Sequence, residues 1–273
     1  LGIGGTVLIP CENLGLLCYG EDGAVDDINS LSYGDDFSED DLPALQFSVD
    51  SQASGRSGTA VGGESQCEPA QAQTDVFGSA LDGSNLQELD GDGEACAGNE
   101  GYGIGLAESA ATDNVDALAR DPCFAVDLDC DSVPEAPIYL TLAKDSPTLA
   151  LIGASTADIL VSGLEYAPTI WADGEDQLGL AAGDVIDALC LAEDGDGLFD
   201  TDDVLVFSLA PNSPSLAQLS ARPGDLLRAS PLRRIVSASK LGLLPNDNVD
   251  ALGCTNLIPV AVGEETYLPL IKK

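Results

Sequence analysis

The chain contains no histidine and no methionine, a single tryptophan, and only 10 basic side chains against 47 acidic ones. Without imidazole, Ser-His-Asp and Cys-His nucleophile systems are excluded, and so is imidazole ligation of a metal. The eight cysteines form no Cys-x-x-Cys pair, which argues against zinc fingers and thioredoxin-type redox centres. Neither a Gly-x-Ser-x-Gly elbow nor a phosphate-cradling Gly-x-x-x-x-Gly-Lys loop is present. No apolar run approaches the roughly 20 residues of a membrane span, and there is no Asn-x-Ser/Thr acceptor. Aromatic residues make up only 5% of the chain, which counts against a glycan platform. The formal net charge of −37 repels nucleic acid and anionic lipid, so no nucleic-acid partner and no membrane span are expected.

What remains is a folded acidic protein, because 44% of its residues are hydrophobic. An even number of cysteines fits disulfides in a secreted protein. Cys67 and Cys96 both lie in a stretch that only the first repeat has and are expected to staple it; Cys11–Cys18, Cys123–Cys130 and Cys190–Cys254 are the remaining expected pairs, among the many connectivities that eight cysteines allow. Buried free thiols in a cytosolic protein are the alternative. The chain begins at Leu1 and lacks methionine, so removal of a signal peptide and an extracellular or cell-surface location are expected.

An internal repeat dominates the rest. Asn114-Val115-Asp116-Ala117-Leu118 recurs as Asn248-Val249-Asp250-Ala251-Leu252, with looser copies at Val185-Ile186-Asp187-Ala188-Leu189 and at 26–31. Each follows a Leu-Gly-Leu-like step at Gly15, Gly105, Gly179 or Gly242. Aligned on the marker aspartate, the segments are 1–26 (N-terminal strand and partial repeat), 27–115, 116–186, 187–249 and 250–273 (partial repeat and C-terminal strand), within one compact domain. Repeat units of this kind bury their apolar faces on one another.

Short runs of Val, Ile, Leu and Phe bounded by turn residues predict strands, and the fold class is all-β. In the third repeat they lie at 187–191, 204–209, 225–227 and 234–236; in the second at 138–142, 158–161 and 169–171; in the first at 45–49, 75–77 and 86–89. The segment 215–220 reads as a helical turn, and the glycine-rich 101–105 as a loop. Three degenerate four-stranded repeats with offset ends, and terminal strands outside the repeats, fit a propeller-, prism-, trefoil- or sandwich-like closure.

Before the second strand of each unit lies a carboxylate cluster: residues 35–41; Asp127, Asp129 and Asp131; and Asp194, Asp196, Asp200, Asp202 and Asp203. The third resembles the Asp-x-Asp-Gly calcium loops of EF-hand-like and dockerin-like segments. It departs from the full pattern in having Leu205 where the closing glutamate belongs. The resemblance is confined to the loop and implies calcium ligation by those aspartates; carboxylates two residues apart around a glycine turn can supply the oxygens a hard cation wants. Solvated acidic turns are the alternative. Asp90 and Asp92 form a further candidate pair. Asp116, Asp187 and Asp250, and likewise Asp75, Asp158 and Asp225, are expected to cap turns or satisfy buried amides.

Charge is uneven: residues 1–120 carry −21, 121–203 carry −18, and 204–273 carry +2. Five bases, Arg222, Arg228, Arg233, Arg234 and Lys240, fall close together. A body acidic at one end and basic at the other can stack head to tail, and the apolar segments 6–9 and 266–271 either pair with each other or add to a neighbour's sheet. The expectation is a non-enzymatic, calcium-binding structural protein that polymerises with itself into an extracellular filament, sheath or surface layer. The alternatives are a monomeric module binding an extracellular glycan or another surface ligand, and a carboxylate-based glycoside hydrolase with a cleft beside Trp171.

Overall fold

Residues 9–18, 26–32, 45–94, 96, 102–109, 111–120, 137–162, 167–253 and the backbone of 270–272 are described by a computed structural model. The chain is all-β. The first unit comprises β1 (Ile28–Ser32), β2 (Leu45–Val49), β3 (Val76–Ser79), β4 (Leu86–Asp90) and β5 (Tyr102–Gly103). The second comprises β6 (Val115–Arg120), β7 (Ile138–Leu142), β8 (Ile159–Val161) and β9 (Thr169–Ala172). The third comprises β10 (Ile186–Ala192), β11 (Val204–Leu209), β12 (Leu226–Arg228) and β13 (Arg233–Val236). Each unit is one sheet with strands in chain order. β14 (Val249–Leu252) begins a fourth copy and pairs antiparallel with β15 (Leu270–Lys272). The C-terminal segment therefore joins its own partial unit; residues 6–8 of the N-terminal segment lie outside the described residues.

Every strand expected within the three repeats is found to within two residues at its ends, and of the expected terminal segment 266–271 the strand covers Leu270–Lys272. Between the second and third strands of each unit runs one short helix: α1 (Ala60–Glu64), α2 (Pro147–Ile152) and α3 (Pro214–Gln218). The glycine-rich 101–105 is not wholly a loop, because β5 lies parallel to β4. Gly103 and Gly93 make this possible: a Cβ on Gly103 would stand 3.0 Å from the Gly93 backbone.

Successive units dock by the same contact at three seams. Ser48 Oγ donates to the Val115 carbonyl at 3.1 Å, Thr141 Oγ1 to Ile186 at 3.1 Å, and Ser208 Oγ to Val249 at 2.8 Å. Each bond joins the second strand of one unit to the first strand of the next. The first strands touch in succession, β1 with β6, β6 with β10, and β10 with β14, and β14 also touches β1. The apolar core follows the seams. Tyr139 and Ile159 pack with Phe207 and Leu227 across units two and three, Val76 and Leu89 with Leu118 and Leu140 across units one and two. Cys190 and Leu226 pack with Val249 and Leu252, and Ala251 joins the cluster of Leu31 and Phe47. A unit alone would leave these faces in water, so the modules stabilise one another.

One aspartate fixes the start of the first strand of each unit, the inner strand in the sense that it touches its counterparts in neighbouring units. Asp113 accepts the amides of Ala107 (2.7 Å) and Thr148 (3.0 Å), and Asp184 those of Ala181 (2.7 Å) and Ser215 (2.9 Å). Asp26 accepts Leu17 (2.7 Å), Ser54 (2.7 Å) and Gly55 (3.0 Å), and Asp247 accepts Leu244 (2.7 Å). In every case one donor is the residue just after the Leu-Gly-Leu step. The glycine of that step turns the chain through φ of +74° to +76° at Gly15, Gly105, Gly179 and Gly242, a region costly for any residue with a Cβ. The same alignment shifts the first unit by two residues: the equivalent of Asp116 is Asn29, not Asp27. The doublet Asp26-Asp27 hides the frame.

Asp184 is fully buried. Replacing it with alanine would strand the Ser215 amide and leave the Ala181 amide only the Ser215 hydroxyl to donate to, so two bonds to a charged acceptor are lost. Asp184→Ala is expected to lower the unfolding free energy in urea by about 2–4 kcal/mol, while Glu175→Ala on an exposed turn leaves the midpoint where it was. Equal midpoints for the two variants would remove this aspartate from its structural role.

Candidate functional site

Two arrangements of carboxylates stand out. The first lies where the inner strands meet. Each has a bulge in its pairing with the next strand, between Ile28 and Ser30, Val115 and Ala117, Ile186 and Ala188, and Val249 and Ala251. The bulged residues are Asn29, Asp116, Asp187 and Asp250. A bulge re-aims its side chain, and all four line one cavity of about 560 Å³, together with Asn114 and Asn248. Asn248 Nδ2 donates to Asp187 Oδ2 at 2.5 Å and also to Asp250, and Asn29 Nδ2 donates to Asn114 Oδ1 at 3.0 Å. Burial, and then the charges of Asp116 and Asp250, push the Asp187 carboxyl up to about 8. The arrangement can hold a proton, a cation or a polar ligand rich in hydroxyl or amino groups.

The marker aspartates Asp116, Asp187 and Asp250 thus line the cavity, and the strand-start amides go to the aspartate three residues earlier, at 26, 113, 184 and 247. The signal was in the sequence: all four copies read Asp, any residue, Ile or Val, then Asp or Asn. For Asp158 and Asp225 the expected role holds. Asp158 accepts the amides of Ser155 and Gly174, both at 2.7 Å, and Asp225 those of Ala238 (2.6 Å) and Arg222 (3.0 Å).

The second arrangement is the acidic loop between β10 and β11. Asp203 accepts the amides of Asp194 (3.1 Å) and Asp200 (2.7 Å), so it ties the loop together. Glu193, buried and absent from the expected ligand set, accepts Gly195 at 2.7 Å and also Gly197. Three of the five expected ligands, Asp194, Asp200 and Asp202, are exposed and bring carboxylate oxygens within 4.8 Å of one another; Asp196 groups with Asp194 and Glu193. Burial holds Asp203 up at about 6, with Glu193 and Asp194 adding to the rise against its two amide donors. The loop can present an all-oxygen face to a hard cation, closed from beneath by Glu193 and Asp203. Asp127, Asp129, Asp131 and the cluster at 35–41 lie outside the described residues.

Disulfides join Cys11 to Cys18 and Cys67 to Cys96. Cys190 is also disulfide-bonded; Cys254, Cys123 and Cys130 lie outside the described residues. Trp171 offers no ligand platform: it is 7% exposed and stacks edge-on between Tyr139 and Phe199, centroids 4.8 and 5.1 Å away. No helix among the described residues is long and apolar enough to cross a membrane. No protein-family model, curated protein or solved structure matches the chain.

The raised Asp187 carboxyl makes stability depend on pH. Moved from 3.8 to about 8 on folding, the group binds more protons folded than unfolded between those values. Its contribution is full below the lower value and is lost as pH climbs through the upper one. In chelator, Asp187→Asn is expected to flatten the decline of Tm between about pH 5 and pH 8 and to raise Tm at the alkaline end. Parallel pH profiles for wild type and variant would refute it.

Proposed function

We propose that this chain is a non-catalytic structural subunit that works outside the cell, bound to calcium and assembling with copies of itself into a filament, sheath or surface layer. In this reading the inner strands β1, β6, β10 and β14 form the closed centre of a small propeller-like body, with the partial fourth unit completing the ring. Calcium sits on the loop of Asp194, Asp196, Asp200 and Asp202, with Asp127, Asp129 and Asp131 as the equivalent set in the second unit. Disulfides support a location beyond the reducing cytosol.

The observation that carries assembly is the outer edge of the third unit. On a chain of net charge −37, the edge strand β13 exposes Arg233 and Arg234, with Arg222 and Lys240 exposed beside it. Ile235 in the same strand is 38% exposed. An uncovered edge offers backbone groups to another strand, and its positive charge selects an acidic partner surface, which most of this chain presents. Strand addition and charge complementarity then act at one place.

A second reading rests on the cavity of Asn29, Asp116, Asp187 and Asp250: a monomeric module that binds an extracellular glycan or another polar surface ligand there. The buried position of Trp171 weighs against sugar stacking, so the ligand would be held by hydrogen bonds.

Sedimentation velocity and electron microscopy separate the two. The structural reading predicts ordered assemblies in millimolar calcium, single particles in chelator, and loss of assembly in Arg233→Glu with Lys240→Glu. Single particles of wild type under every calcium and salt condition would overturn it.

A further inference from the structure

The first unit departs from the other two at one aspartate. Asp75, Asp158 and Asp225 each stand immediately before the third strand of their unit, and one oxygen of each accepts an amide just past the fourth: Gly91 (3.0 Å), Gly174 (2.7 Å) or Ala238 (2.6 Å). The other oxygen is filled differently. In unit two it accepts the Ser155 amide at 2.7 Å. In unit three it accepts the Arg222 amide at 3.0 Å and meets the Arg234 guanidinium at 3.1 Å. In unit one Asp75 Oδ2 is buried and accepts no hydrogen bond.

Two more carboxylates stand where a donor is wanted. Asp75, Asp90 and Glu108 are 0%, 2% and 2% exposed, and each places an oxygen within 4.8 Å of the others. Glu108 is packed hard over the backbone: a Cβ on Gly91 would lie 2.0 Å from its Oε1. Buried Glu64 adds a further negative charge near Asp75. The residue in register with Arg234 is Gln87, since Phe77 pairs with Gln87 as Leu227 pairs with Arg234. Gln87 is neutral, and its amide turns to Asp90 Oδ2 at 3.1 Å. Further donors are Thr74 Oγ1 to Glu108, and the amides of Gly93 (2.6 Å) and Asp92 (3.2 Å) to Asp90 Oδ1, while the carboxyls of Glu108 and Asp75 stand within hydrogen-bonding reach of each other. Burial raises all three carboxyls, Glu108 to about 7. The positive charge that unit three supplies with Arg234 is absent from this set.

We infer that Asp75, Asp90 and Glu108 form a buried site for one hard divalent cation of the calcium class, standing in unit one where the Arg234 guanidinium stands in unit three. The donor set is all oxygen, without thiolate or imidazole, which selects a hard ion. Of the pair Asp90 and Asp92, only Asp90 belongs to it. The site is separate from the exposed loop at 194–203 and holds whether or not that loop binds an ion or the protein assembles.

Calcium alone is the probe, on the full chain freed of metal by chelator. Native mass spectrometry counts bound ions, and thermal unfolding is followed with calcium and with chelator. The loop variant Asp194→Asn with Asp200→Asn and Asp202→Asn is expected to retain an ion that Asp75→Asn, added to it, removes. Asp75→Asn alone is expected to lower Tm relative to wild type in calcium and to raise it in chelator, because a buried charge has gone. Glu108→Gln should repeat that crossing if Asp75→Asn folds poorly. A loop variant that binds no calcium would overturn the site. So would variants that raise Tm equally in both conditions, which is the signature of carboxyls sharing protons.

Discussion

The carboxylate that precedes each inner strand is the interaction on which the architecture depends. Asp26, Asp113 and Asp184 each bind the amide that follows the Leu-Gly-Leu step and an amide at or before the unit's short helix. The step just before the strand and a segment about 30 residues further on are thereby held at one carboxylate, which satisfies backbone amides at both. The glycine at φ near +75° lets the chain reach that carboxylate. The inner strand leaves from the clamp in a fixed direction, and its bulge three residues on turns the next polar side chain toward the meeting place of the four strands. Clamp and bulge together make each seam repeat the last.

This construction puts negative charge where water is scarce. Asp113 and Asp184 are fully buried and amply supplied with amide donors, and a carboxylate so solvated by backbone N–H groups sits comfortably inside a protein. Asp187 and the Asp75–Asp90–Glu108 group are not so well supplied, and their carboxyls are raised by burial and by each other. A chain with 47 acids and 10 bases cannot balance these sites with lysine and arginine. Protons held by the raised carboxyls of Glu108 and Asp187 link the folded state to the pH of its surroundings.

Much of the fold was legible because the strands are short apolar runs between Gly, Pro, Asn, Asp and Ser, and two copies of the marker phrase are identical. The disulfide Cys67–Cys96 was legible because both residues lie in the stretch that only the first repeat has, and Cys11–Cys18 was among the pairs expected with it. The frame of the first unit was not legible, since two adjacent aspartates stand where the other units have one. Nor was the division of roles between aspartates three residues apart: which one caps and which one faces the cavity is decided by the bulge, a property of strand pairing. Helix α1 holds two glycines and has no helical pattern; it exists because Thr59 Oγ1 accepts the Gly62 amide and Asn85 Oδ1 the Val61 amide. In the acidic loop, Asp194, Asp200 and Asp202 bring carboxylate oxygens within 4.8 Å of one another. Glu193 was missed because it precedes the loop, and Glu108 because it lies far along the chain from Asp75.

Native-state hydrogen exchange tests the central claim most directly, read at the amides of Leu17, Ala107 and Ala181. Each is the donor of one clamp, in a different unit. If the clamps join the modules into one cooperative body, all three exchange only through global unfolding, with the same free energy and the same denaturant dependence. Exchange of any one of them through a cheaper, denaturant-independent opening would show that its unit opens alone, and would contradict the account.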